Sequence, residues 1–77
     1  MMARAPQFLN APEDCEWLRD TALRSFPDAP PFQSFTIEGN EDAPERVTLY
    51  TSADPLYTDK PAAEYVQDPE TGDLTRE

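Results

Sequence analysis

Gln33-Ser34-Phe35-Thr36-Ile37-Glu38 and, after the turn 39–45, Arg46-Val47-Thr48-Leu49-Tyr50-Thr51 decide the fold. Both stretches alternate apolar and polar residues with the period of a strand that buries one side only. In the first, Phe35 and Ile37 point to a core while Thr36 and Glu38 face water; in the second, Val47 and Leu49 take the core side. Between them, Gly39-Asn40-Glu41-Asp42-Ala43-Pro44-Glu45 is an acidic turn, with glycine, asparagine and proline supplying the backbone shapes that strands avoid. The pair predicts an antiparallel hairpin.

Toward the C-terminus, Ala62 to Gln67 predicts a third strand, with Tyr65 and Val66 on opposite faces. Asp68-Pro69-Glu70-Thr71-Gly72-Asp73 is a turn with glycine where a positive φ is needed. Leu74 to Glu77 then either pairs as a short fourth strand or frays. Ser52 to Pro61, broken by Pro55 and Pro61, is a loop. Toward the N-terminus the period changes. Cys15, Leu18, Ala22 and Phe26 share one helical stripe with Leu23 on its flank, and Pro27 ends the run. Asn10 is the expected cap, Glu13 reaches back to the cap's N–H, and Pro12 sits in the first turn, where its missing N–H is harmless. Pro27-Asp28-Ala29-Pro30-Pro31 is a stiff connector. The expected architecture is α+β: one N-terminal helix packed on a small antiparallel sheet of three to four strands. Residues 1–9 are expected as a flexible arm and residues 10–77 as a single small acidic domain.

Sixteen acidic residues stand against six basic ones, with no histidine, for a net charge of −10 on 77 residues. Such a body repels nucleic acid and anionic membranes and attracts basic partners. Trp17, four phenylalanines and three tyrosines are too much aromatic content for a disordered acidic tail. A chain of this size buries only about two thirds of its unfolded surface, so the core is thin. The lone Cys15 makes no internal disulfide, and the absence of histidine argues against a zinc site. A free cysteine and no apolar leader or membrane-length run point to the cytoplasm. Cys15, on the apolar stripe and without a histidine to activate it, reads as a small core residue. The acidic clusters lack the spacing of a calcium loop. No catalytic residue, metal ligand or cofactor is expected, and enzyme is the least favoured class.

The carboxylates suggest an interface instead. Residues three and four apart on a helix are neighbours, so Glu13, Glu16 and Asp20 form a negative row opposite the apolar stripe, with Trp17 among them. Glu38, Glu41, Asp42 and Glu45 gather at the hairpin turn. A fixed carboxylate array competes for a groove whose lysines and arginines otherwise replace the counterions of phosphates. Trp17, or Tyr50 and Tyr57, would supply the apolar anchors in which interface energy concentrates. The plainer reading is a solvated acidic surface that brings solubility alone, as in salt-adapted proteins, and the single lysine, Lys60, fits that too.

Val47-Thr48-Leu49-Tyr50-Thr51-Ser52-Ala53-Asp54-Pro55-Leu56-Tyr57, followed by Lys60-Pro61, Ala63, Val66-Gln67-Asp68 and Gly72, resembles the third and fourth strands of the phage uracil-DNA glycosylase inhibitors. That resemblance implies a small acidic α+β protein that mimics DNA and occupies the glycosylase's DNA groove. The chain departs from the family in three places. It has one helix before its sheet where the family has two. Only Gln33-Ser34 echoes the family's Gln-Glu-Ser-Ile strand, without the glutamate, and Leu56 stands where the family places an acid. The functional expectation is a non-enzymatic, phage-encoded acidic inhibitor. Its partner would be a basic nucleic-acid-binding protein: a uracil-DNA glycosylase, a CRISPR effector or a restriction enzyme. The expected partner-binding residues are Glu13, Glu16, Trp17, Asp20, Glu38, Glu41, Asp42 and Glu45, with no direct contact to nucleic acid or membrane. The alternatives are an accessory or structural protein of a salt-adapted organism and an adaptor or antitoxin for a basic protein, and the oligomeric state stays open.

Overall fold

A computed structural model describes residues 7–40 and 44–77. One helix lies on one face of a five-stranded antiparallel sheet whose strands neighbour one another in chain order. The strands are β1 (Gln7–Leu9), β2 (Ser34–Gly39), β3 (Pro44–Tyr50), β4 (Ala63–Gln67) and β5 (Leu74–Arg76). Helix α1 (Pro12–Asp20) falls between β1 and β2, and a 3-10 turn (Pro55–Tyr57) falls between β3 and β4.

The hairpin has the expected inward set. Phe35 stands opposite Leu49 and Ile37 opposite Val47, and Val47 and Leu49 in turn face Tyr65 and Ala63 on β4. Because side chains alternate along a strand, this register puts Phe35, Ile37, Val47, Leu49, Ala63 and Tyr65 together on the face that the helix covers. Cys15, Leu18 and Leu23 close over them, and Phe32 packs edge-on to Phe35 with ring centroids 6.1 Å apart. Gly39, at φ 88°, turns the hairpin next to a register shift between Glu38 and Gly39. Gly72, at φ 78°, serves the β4–β5 turn, where its N–H donates to the Asp68 carbonyl at 2.7 Å.

Three expectations are corrected. The sheet has five strands, not three to four, because Gln7–Leu9 pairs with β2: Leu9 faces Phe35 and Gln7 faces Ile37. Those residues are therefore an edge strand and not part of a flexible arm; residues 1–6 lie outside the described residues. Three residues show no period of their own, and what orders them is a partner strand distant in sequence. The helix also ends at Asp20, short of Phe26. The Thr21 hydroxyl donates to the Trp17 carbonyl at 2.7 Å, bonding to the turn before it as threonines do where helices bend or stop. The Leu23 N–H then reaches the Leu18 carbonyl at 2.9 Å, and this wide closure brings Leu23 into the core while Ala22 and Phe26 stay partly buried. Finally, the helix cap is Ala11, with no side-chain hydrogen bond; Asn10 donates its amide to the Ala53 carbonyl at 2.9 Å instead. Pro12 does occupy the first turn.

Candidate protein-docking surface

Glu13, Glu16 and Asp20 are all exposed on the side of α1 turned away from Cys15 and Leu18. The helix is held by its buried stripe, so the carboxylate row is carried on a fixed element. Trp17 differs from expectation: it is half-buried and packed against the core cluster, sealing the flank of the helix instead of standing among the acids. Next to the row, Arg19 is already engaged. Its guanidinium lies 4.7 Å from the centre of the Phe32 ring and donates to the Phe32 carbonyl at 3.3 Å.

The hairpin acids are on different ground. Glu38 alternates with buried Ile37 and therefore projects from the sheet face opposite the helix. There it accepts from Arg46, Nε to Oε2 3.4 Å, so part of its charge is answered within the molecule. Glu45 is exposed beside the bulge. Glu41 and Asp42 lie outside the described residues. The sheet thus separates Glu38 from the helix row, and one flat cationic surface cannot meet both at once. Of the expected interface residues that are described, Glu13, Glu16 and Asp20 stand together on the helix and Glu38 lies on the other side of the sheet.

The open face of the sheet is only partly polar. Phe8 and Tyr50 pair at 6.2 Å between centroids, and Thr36 donates weakly to the Tyr50 hydroxyl at 3.4 Å. Tyr50 is half-buried by these neighbours, whereas Tyr57 stands free. Leu56 and Tyr57, on the 3-10 turn, are exposed to 80% and 69%. Leu56 was not singled out as an anchor in sequence. The available signal was Asp54-Pro55, an aspartate able to cap and a proline able to start a helical turn, which together aim the next two side chains.

Cys15 is buried, its thiol directed to the Gln33 carbonyl at 3.5 Å, and burial is the main cause that pushes its pKa up. A thiol kept protonated in the core is a poor nucleophile. Among the described residues, no three histidine, cysteine, aspartate or glutamate side chains gather as a metal would need. A cleft lies between the end of α1 and the proline-rich connector, with Arg19, Asp20 and Arg24 as its charged lining. No helix of the described residues is long and apolar enough to cross a membrane. Against known protein families, curated proteins and solved structures, the chain finds no match.

Proposed function

We infer that this protein is a non-enzymatic acidic inhibitor, phage-encoded and acting in the host cytoplasm, that occupies the nucleic-acid-binding surface of a basic protein. The observation that carries the reading is the exposed row Glu13, Glu16 and Asp20 on a helix anchored through Cys15 and Leu18. Anchored carboxylates keep their spacing when they meet lysines and arginines, and a net charge of −10 steers such a partner into contact. The net charge already includes Arg19 and Arg46, whose guanidinium groups are turned to Phe32 and Glu38. The segments that resemble the glycosylase inhibitors fall on β3, the 3-10 turn, β4 and the turn after it. They support the class of acidic inhibitor more than they identify the target.

The test is inhibition of a bacterial uracil-DNA glycosylase, a CRISPR effector complex and a restriction enzyme by the purified protein, across a range of salt. Inhibition of one of them should weaken steeply as salt rises, and the triple variant Glu13→Lys, Glu16→Lys, Asp20→Lys should lose it. Inhibition that ignores both salt and the helix charges rules out phosphate mimicry. Failure against all three enzymes, joined to unfolding in low salt, would favour the salt-adapted reading of the charge.

A further inference from the structure

The most exposed large apolar side chains among the described residues are next to each other, and the backbone beneath them is braced at every step. The Ser34 hydroxyl, fully buried, donates to the Ser52 carbonyl, and Asn10 holds the Ala53 carbonyl at 2.9 Å. The Asp54 N–H donates to the Ser52 hydroxyl at 3.1 Å, and the Asp54 carboxylate accepts from the Leu56 N–H at 2.9 Å. The Tyr57 N–H closes on the Asp54 carbonyl at 3.0 Å, and the Thr58 hydroxyl donates to the Pro55 carbonyl at 3.1 Å. These bonds hold the backbone of residues 52–58, and the Leu56 and Tyr57 side chains stand exposed on it.

We propose that Leu56 and Tyr57 are the apolar anchor by which this protein docks into a hydrophobic recess bordered by lysines or arginines on a partner protein. The proposal rests on the inhibitor reading for the partner's charge and adds where the binding energy concentrates. Rigid tyrosine and leucine side chains give contact area at little entropic cost, and a few such anchors dominate most interfaces. The occupant follows from charge. Asp54 and Asp59 flank the pair, with one cation, Lys60, beyond them, and the Asn10–Ala53 bond ties the loop's base to the residues just before α1, which carries Glu13. A membrane with anionic lipids repels this end of the molecule. So does a second copy, which bears the same −10. A cationic protein surface is attracted to it, and exposed apolar side chains rimmed by charge mark such contacts.

The test uses two synthetic peptides of equal length and charge spacing, one alternating lysine and leucine and one alternating lysine and glycine. Each is titrated at low salt while amide shifts are followed. The lysine–leucine peptide should perturb residues 54–58 most, and Leu56→Ala with Tyr57→Ala should weaken it by about tenfold or more. Binding of the lysine–glycine peptide should stay within about twofold, since charge alone holds it. Unchanged β2–β4 shifts in the double variant certify its fold. Equal binding of the lysine–leucine peptide to the wild type and the double variant overturns the proposal. So does an equal loss for both peptides, a dimer in sedimentation that the double variant abolishes, or anchor-dependent binding to phosphatidylcholine vesicles. If none of the three enzymes is inhibited while the peptide result holds, the inhibitor reading fails and the anchor stands. Helix-dependent inhibition without anchoring gives the reverse.

Discussion

The two faces of the sheet are written by the same five strands and have opposite fates. Leu9, Phe35, Ile37, Val47, Leu49 and Tyr65 make up the side that the helix covers, and all of them but Leu9 are buried. Across the sheet, Thr36, Glu38, Arg46, Tyr50, Glu64 and Val66 are left half-buried or exposed, with Phe8 and Tyr50 giving partial cover. The small polar Ser34 and Thr48 are buried on that second face too, but large apolar side chains are buried in full only where another layer arrives. Stability should therefore sit on one face, and the other should be free to change.

The sharpest way to break that asymmetry is Phe35→Ala. It removes a fully buried ring and should cost about 3–5 kcal/mol, enough to unfold so small a domain, as read by urea denaturation. Gly39→Ala comes next, at the point where the chain crosses between β2 and β3. The new Cβ would sit 2.9 Å from Glu45 Cγ and 3.0 Å from the Glu45 backbone N, at φ 88°, so a loss of about 1–3 kcal/mol is expected in the same assay. A loss below about half a kcal/mol would mean that the turn relaxes freely.

Tyr65 probes the covered face in the other direction. Its hydroxyl is buried and has no hydrogen-bond partner among the described residues, beside Phe26 at 4.6 Å between centroids. Tyr65→Phe should leave thermal stability unchanged or raise it by about 1 kcal/mol, because the unpaired hydroxyl is disfavoured in the fold. Alkaline titration follows from the same burial. Desolvation is the main cause raising the pKa of Tyr65 from the ordinary 10.0 and that of Cys15 from the ordinary 9.0. The unfolded chain therefore gives up these protons first. This contribution to stability is intact below the ordinary values and is lost as pH rises from them through the folded-state values. Denaturant midpoints that stay flat from neutral pH into that alkaline range would show that neither group is shielded. The smallest effect belongs to the open face: Glu38→Gln breaks the exposed pair with Arg46 and should shift stability by less than about 1 kcal/mol, less still in high salt.

Much of the covered face was legible because it is written in alternation. The inward residues of β2 and β3, the third strand and the glycine at position 72 were all readable within a few residues of themselves. The candidate site was legible only in part. Helical spacing makes Glu13, Glu16 and Asp20 neighbours, and they are exposed together. The half-burial of Trp17 against the core was not legible, because angular position on a helix does not say what packs beside it. The division of the acids between two layers was equally hidden, since Glu38 and Glu16 sit on elements with no shared local period.

By itself the chain determined its strong negative charge and the side that the residues of β2 and β3 would take, since these follow from composition and from a period of two. Tertiary structure alone decided that Gln7–Leu9 would become an edge strand, that α1 would stop at Thr21, and that Leu56 and Tyr57 would be held outward. Each of those outcomes turns on hydrogen bonds between residues far apart in sequence or on a local competition for one carbonyl. A residue's own neighbours in the chain carry no record of which distant partner will satisfy them.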